Sequence, residues 1–322
     1  GPGAGVFGSG KSNVTIRNSN ISGTNSAIEF SSGGLNASVA LSGLNLWSSN
    51  NSLALAAQVT GGGSTTITQL TNIMIEGGHG GLSGANFNGA TFDADLATAG
   101  YQRVDATLQV GTAGTRLNGA GVVLSGAIGE LRFVSLGVFN QGGTGLTLMG
   151  SALNLASMSG TIDTLNGHTL GLVGARTDLV LDSVVHLGVG NGVLVNGLTG
   201  TGTGGRALQV GTITAGTTAG SGIAVSGDVN GTMSFGAGSS ISGALSPAIS
   251  IASGTGTLDF TYNGSVTQSA NAALLSVAGH NGSITFGAGS SLSATNGTGL
   301  QFSNADGTYV FNGTTSLNGG DA

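Results

Sequence analysis

Cysteine is absent from these 322 residues, proline occurs twice, tryptophan once, and Asp, Glu, Lys and Arg together make up only 6%. An ordinary soluble domain carries about 25% charged residues. Each shortage excludes something. Without cysteine there are no disulfides, no thiolate nucleophile and no cysteine-type zinc site. A chain without cysteine also crosses an oxidising compartment without mispairing, which suits export. Seven Lys and Arg against thirteen Asp and Glu leave a net charge of −6. So few scattered cations cannot neutralise the phosphates that dominate nucleic-acid affinity, and no nucleic-acid partner is expected. Apolar runs reach only a few residues, short of the ~20 that cross a bilayer as a helix, so no membrane contact by this segment is expected. No secretory leader opens the chain. Gly1-Pro2-Gly3 reads as a tag-cleavage remnant, set apart from a fold expected over 4–322.

Glycine is what the chain has in abundance, 64 residues. It does not recur at every third position, which excludes a collagen triple helix. Apolar residues reach 39% and mean hydropathy is +0.30, whereas disorder goes with low hydrophobicity and high net charge. The chain therefore has apolar material to bury and little charge to keep it soluble.

Internal repeats organise that material. The segment NGTMSFGAGSSI at 230–241 returns as NGSITFGAGSSL at 281–292, displaced by 51 positions. Half of that displacement is occupied too. Phe235, Phe260, Phe286 and Phe311 form one column, and Met233, Leu258, Ile284 and Tyr309 lie two residues before them. The apolar–x–apolar spacing is that of a strand. A second column runs through Ile223/Val225, Ile249/Ile251, Leu275/Val277 and Leu300/Phe302, and a third through Ile241, Val266, Leu292 and Leu317. The same step relates Val14/Ile16 to Val39/Leu41, Ile21 to Leu46 and Ile28/Phe30 to Leu53/Leu55. Val122/Leu124, Leu146/Leu148, Leu170/Leu172 and Val193/Val195 repeat at slightly shorter steps.

A strand of three or four residues cannot bury one face by itself. Coiling the chain so that each strand pairs with its equivalent one turn later satisfies the backbone and stacks like side chains in a closed interior. Glycine and asparagine between the strands permit the positive φ of sharp corners. The expectation is an all-β chain forming a single parallel β-helix: a three-sided solenoid of about 25 residues per turn, right-handed like most parallel crossovers. Some 12–13 turns of ~4.8 Å would make a rod on the order of 60 Å. One domain is expected, with an irregular insertion near 76–105 and a corner loop near 199–205. Solenoid insertions leave at corners and often carry binding.

Few motifs carry chemistry. Gly5 to Ser12 (GVFGSGKS) fits the P-loop pattern, but that loop needs a buried strand before it and a helix after it. Here Asn13-Val-Thr-Ile-Arg17 reads as a strand, so the match is expected to be accidental. His79, His168, His186 and His280 have no partner at metal-ligand spacing and read as surface or corner residues. Asp178 and Asp182 near Arg176 read as a solvated cluster, and Tyr262 as core. Asp93-Ala-Asp95 places two carboxylates on one side of an extended segment. Leu46 belongs to an inward column, so Trp47 should point outward, where an indole can stack on a sugar. The candidate ligand contacts are therefore Trp47 together with His79, Asp93, Asp95, Tyr101 and Arg103 of the insertion. No catalytic residue, cofactor or metal is expected.

The segments SITFGAGSSL (283–292) and GLQFSNADGTYVFNGTTSLNGG (299–320) resemble the passenger regions of bacterial autotransporters and related β-helical adhesins, and the resemblance covers nearly the whole chain. It implies export by a Gram-negative bacterium, as a secreted or cell-surface protein. The implied roles are adhesion, aggregation or biofilm formation, and the implied partners are a host or bacterial surface glycan or protein, or a second copy. The family's leader and membrane barrel lie outside the matching segment. Alternative expectations are a phage or secretion-system fibre and a carbohydrate-active β-helix enzyme. The enzyme would need clustered acids and bases along one face. Ice binding would need a regular threonine ladder, and Thr65-Thr66-Ile67-Thr68 does not repeat in register.

Overall fold

The computed structural model describes residues 3–9, 13–31, 37–55, 65–84, 91–92, 104–125, 128–150, 152–216 and 219–318. They form a parallel β-solenoid of about ten turns with roughly 25 residues per turn. Among the described residues there is no α-helix, only a 3₁₀ turn at Thr203–Gly205. The chain divides into two units, Gly1–Ile162 and Asp163–Ala322.

The C-terminal unit is the more regular. Its last three coils consist of Ile249–Ala252, Leu258–Tyr262 and Ser265–Gln268, then Leu275–Ala278, Ser283–Phe286 and Ser291–Ala294, then Leu300–Ser303, Thr308–Phe311 and Thr314–Leu317. Each strand pairs in parallel with its equivalent in the next coil. Alternate residues point inward because successive side chains of a strand leave on opposite faces. The Ile223/Val225, Ile249/Ile251, Leu275/Val277 and Leu300/Phe302 column is present in that register.

The phenylalanine column differs from its sequence reading. Leu181, Val210, Phe235, Tyr262, Phe286 and Phe311 stand in one register, and Phe260 stands in the neighbouring one with Met233 and Ile284. The cause is an extra residue at the corner before Leu258. That corner is held from the coil before it: Asp228 Oδ1 accepts the Thr255 N–H at 2.9 Å, and Asn230 Oδ1 accepts the Thr257 N–H at 3.1 Å. Tyr262 is fully buried and donates its hydroxyl to the Ser265 carbonyl at 2.9 Å. The third column shifts at its end as well: Leu292 faces Thr315, and Leu317 faces Ala294.

One corner of this unit repeats a left-handed residue in coil after coil: Gly174, Gly197, Gly227, Gly254, Gly279 and Asn304, with φ between 46° and 71°. Only glycine, and less readily asparagine, takes that conformation at low cost. Of the stretch 199–205 expected as a corner loop, Thr199 and Gly200 end the Val193–Gly200 strand and Thr203–Gly205 forms the 3₁₀ turn. Val195 pairs with Val225 thirty residues on, and Arg206 Nε, just past the loop, meets Asp178 Oδ1 at 2.6 Å. Asp178 is thus paired with Arg206 across the loop.

In the N-terminal unit the strands are longer: Asn13–Gly23, Ala37–Leu55 and Thr65–Gly84. They turn corners without breaking because Asn18, Gly43 and Asn72, in matching positions, take φ of 50°, 62° and 54°. Val14/Ile16 pair with Val39/Leu41, Ile21 pairs with Leu46, and Ile28/Phe30 pair with Leu53/Leu55, as the repeat predicts. Val122/Leu124 pair with Leu146/Leu148. The inward residues Val39, Leu41, Leu46, Leu70 and Ile75 are buried aliphatics.

Of the interruption expected over 76–105, residues 85–90 and 93–103 lie outside the described residues, and the rest lies in paired strands. Residues 76–84 continue a paired strand, with Leu53 facing Leu82. Thr91–Phe92 pairs on both sides, and Asp105 faces Arg132 in the Val104–Val110 strand. The partners of 65–84 lie 28 to 30 residues before it rather than 25, which hid this continuation from the fixed-step reading. At the start of the chain, Gly3 is tied into the coil through its carbonyl, which accepts the Asn25 N–H at 2.9 Å.

Candidate functional site

Ala4–Ser9 is a strand paired with Ser26–Ser31, and the segment after the P-loop-like stretch is again a strand, Asn13–Gly23. No helix N-terminus is offered there to a phosphate. Gly10, Lys11 and Ser12 lie outside the described residues.

Of the six predicted ligand contacts, Trp47 has a described side chain. Asp93, Asp95, Tyr101 and Arg103 lie outside the described residues. The backbone of His79 runs in the Thr65–Gly84 strand, between Gly78 facing Ser48 and Gly80 facing Asn51; its side chain lies outside the description.

Trp47 is built by strand alternation. Leu44, Leu46 and Ser48 point inward and are buried, so Asn45 and Trp47 point out, and the indole is 47% exposed. One coil earlier, Asn20 and Ser22 occupy the matching outward positions. Asn45 Nδ2 donates to Asn20 Oδ1 at 2.9 Å. Asn20, Ile21, Ser22, Asn45, Leu46 and Trp47 line an open groove of about 290 Å³. On the other side of Trp47 the register slips: Leu46 faces Ile75, but Ser48 faces Gly78, so Glu76 and Gly77 together oppose the tryptophan. Such a β-bulge bends its strand and re-aims neighbouring side chains, and bulges gather beside functional sites.

A second groove of about 270 Å³ lies on the same outward face, lined by Asn72, Met74, Thr107, Gln109 and Ser135 among others. Its Gln109 and Met74 continue the Asn45 position coil by coil. Thr107 Oγ1 both accepts the Asn72 N–H and donates to Asn72 Oδ1. The site is therefore a strip of uncharged amides and hydroxyls beside one indole. The sequence singled out Trp47 but missed Asn20, Ser22 and Asn45. The signal was available, because the 25-residue step from Ile21 to Leu46 also carries Asn20 onto Asn45.

Two of the three histidines with described side chains are buried rather than at the surface. His186 Nε2 donates to the Gly188 carbonyl at 2.9 Å, and its Nδ1 lies 3.2 Å from Thr169 Oγ1. His280 Nε2 donates to the Leu258 carbonyl at 2.9 Å, and its Nδ1 meets the Tyr309 hydroxyl at 3.2 Å. His168 is half-buried and accepts the Asn191 N–H on Nδ1 at 3.1 Å. Burial lowers the pKa of all three below the usual histidine range; at His186 the nearby His168 adds to the effect, while at His280 Asp259 opposes it. These rings hold corner carbonyls and amides in place. Among the described residues no three His, Asp or Glu side chains gather as metal ligands.

No family model, no curated protein and no solved structure matches this chain. Its chemistry has to be argued from its own residues.

Proposed function

We propose that the chain is part of an exported, surface-displayed β-solenoid of the autotransporter passenger type, acting as an adhesive or structural rod in attachment, aggregation or biofilm. The observation that carries this reading is the division of labour along the coils: inward positions are mostly aliphatic or aromatic, and the outward strip at Asn20, Ser22, Asn45 and Trp47 is uncharged and open. A solenoid repeats one outward position at every coil, so it presents a long, uniform surface to a partner. The reading is non-catalytic. Acid–base chemistry needs titratable groups within hydrogen-bond reach of one another and of a substrate. Among the described residues the groups with shifted pKa values are His168, His186, His280 and Tyr262, whose side chains hydrogen-bond backbone groups, and Asp228, which caps a corner. The partner is a glycan or protein of another surface, or a second copy.

The test is labelling of intact cells that express the full reading frame with antibody against this segment, combined with attachment and settling assays. The expected result is surface label on intact cells, and attachment or autoaggregation that falls when residues 13–55 are deleted in frame. Label appearing only after lysis would overturn the reading.

A further inference from the structure

We infer that the groove between Trp47, Asn45, Asn20 and Ser22 binds an uncharged saccharide, with the indole under the sugar's C–H face and the two amides on its hydroxyls. This rests on the surface-binding reading above and names the partner's chemistry.

Three observations converge. First, the indole is about half exposed beside the outward polar residues Asn20, Ser22 and Asn45. An aromatic ring with one open face and a polar rim matches a pyranose, which has an apolar face of C–H bonds and a rim of hydroxyls. Second, the amides beside it are pre-oriented. The Asn45 Nδ2 to Asn20 Oδ1 bond leaves Asn45 Oδ1 as an acceptor and the Asn20 amide N–H groups as donors, one coil apart, about 4.8 Å. Among the described residues neither group has another partner, and neither do Ser22 Oγ or the indole N–H. A fixed acceptor and donor at that separation complement neighbouring hydroxyls, each of which both donates and accepts. Holding the amides in the free protein also reduces the entropy lost on binding. Third, one of the register slips between these strands falls beside Trp47, where Glu76 and Gly77 together oppose it.

The same residues select the class of sugar. None of the six lining residues is charged, so among the described residues the groove has no cation to compensate a uronate, sialate or sulfate, and desolvating an unpaired anion there is costly. The groove's size suits one or two sugar rings. A protein partner would need about 800 Å² of contact, so the small polar groove favours the saccharide.

Trp47 is the only tryptophan, so the intrinsic fluorescence of the whole chain reports this site. The experiment titrates the intact chain with neutral oligosaccharides (β-glucan, mannan, galactan and N-acetylglucosamine oligomers) and with polygalacturonate and hyaluronate as acidic probes. The expected result is a saturable change in Trp emission with at least one neutral probe and none with the acidic ones. Asn45→Ala should weaken binding about tenfold, the factor corresponding to 1.4 kcal/mol. Trp47→Phe should retain measurable binding by calorimetry, and Trp47→Ala should abolish it while the far-UV circular dichroism stays unchanged. No emission change with any neutral probe, or unchanged calorimetric affinity in folded Trp47→Ala, would overturn the inference. Surface label on cells without sugar binding would sink this inference alone; sugar binding without surface label would sink only the reading it rests on.

Discussion

From Ile249 onward the C-terminal unit cuts each coil into three strands of four or five residues, turns one corner on a left-handed glycine and stacks aromatic rings inside. The N-terminal unit runs strands of 11, 19 and 20 residues through corners marked by Asn18, Gly43 and Asn72, and its described core is aliphatic apart from Phe133 and a few buried polar residues. The polar groups differ in the same way. In the C-terminal unit Gln268, His186 and His280 are buried and spend their hydrogen bonds on corner backbone. In the N-terminal unit Asn140 is used in that way too, but Asn20, Ser22 and Asn45 face outward beside an exposed indole. The same repeat thus yields two products. Where polar side chains are consumed in holding corners, the coil is scaffold. Where they are left on the outer face next to an aromatic ring, the coil can bind.

The comparison breaks most sharply at the aromatic ladder. Phe286 is fully buried, 6.0 Å from the Tyr262 ring and stacked at 5.2 Å and 8° on Phe311. Phe286→Ala should cost about 3–5 kcal/mol, read as a lower urea midpoint, while saccharide binding at Trp47 in the absence of denaturant is unaffected. A midpoint within error of the parent would show that the ladder is not the core of that unit.

Acid should separate scaffold from site next. His168, His186 and His280 have pKa values lowered from 6.5 in the folded chain. Below pH 6.5 the unfolded chain therefore binds more protons than the folded one, and stability falls as pH drops through that value; above it the contribution is fully present and flat. The urea midpoint at pH 5 should lie below that at pH 7.5, and a combined His186→Gln/His280→Gln variant should lose part of the difference. An identical midpoint at both pH values in the parent chain would contradict the neutral, buried rings.

The smallest effect sharpens the corner comparison. Gly279 has φ +57° and open space where a Cβ would stand, so a substitution there tests conformation without a clash. Gly279→Ala should cost about 1–2 kcal/mol. Gly279→Asn should cost clearly less, since Asn304 holds the equivalent place one coil later at φ 46°. Equal losses in thermal melts would remove the conformational explanation.

Much of this fold was legible in the sequence because its cause is local and periodic. Ile21 and Leu46, or Ile249 and Leu275, are apolar on both sides of a fixed step, and pairing them buries both. What was not legible was register where corners change length. Phe260 resembles Phe235 and Phe286 in type, yet one additional residue before Leu258 carries Tyr262 into the ladder and Phe260 beside it. A phenol that finds the Ser265 carbonyl buries as readily as a phenyl ring, so residue type could not arbitrate. The strand over 76–84 was hidden because its partners lie 29 or 30 residues before it, off the 25-residue step. The outward direction of Trp47 followed from alternation, whereas the Asn45–Asn20 bond needed the coil spacing that only the paired strands supply.

The account stands on which residues face one another in successive coils, and the absence of native cysteine lets a cross-link test that directly. Thr261 faces Thr285 in the paired strands, at the 4.7–4.9 Å separation of neighbouring strands, within the Cα–Cα range of a disulfide. The measurement is disulfide yield, by mass spectrometry after mild oxidation, in two variants. Thr261→Cys with Thr285→Cys should close an intramolecular disulfide readily, and Thr261→Cys with Gly287→Cys, the register that an unbroken phenylalanine column would impose, should not. Closure of the second pair with the first left reduced would contradict the register from which the aromatic ladder and the corners of the C-terminal unit are derived.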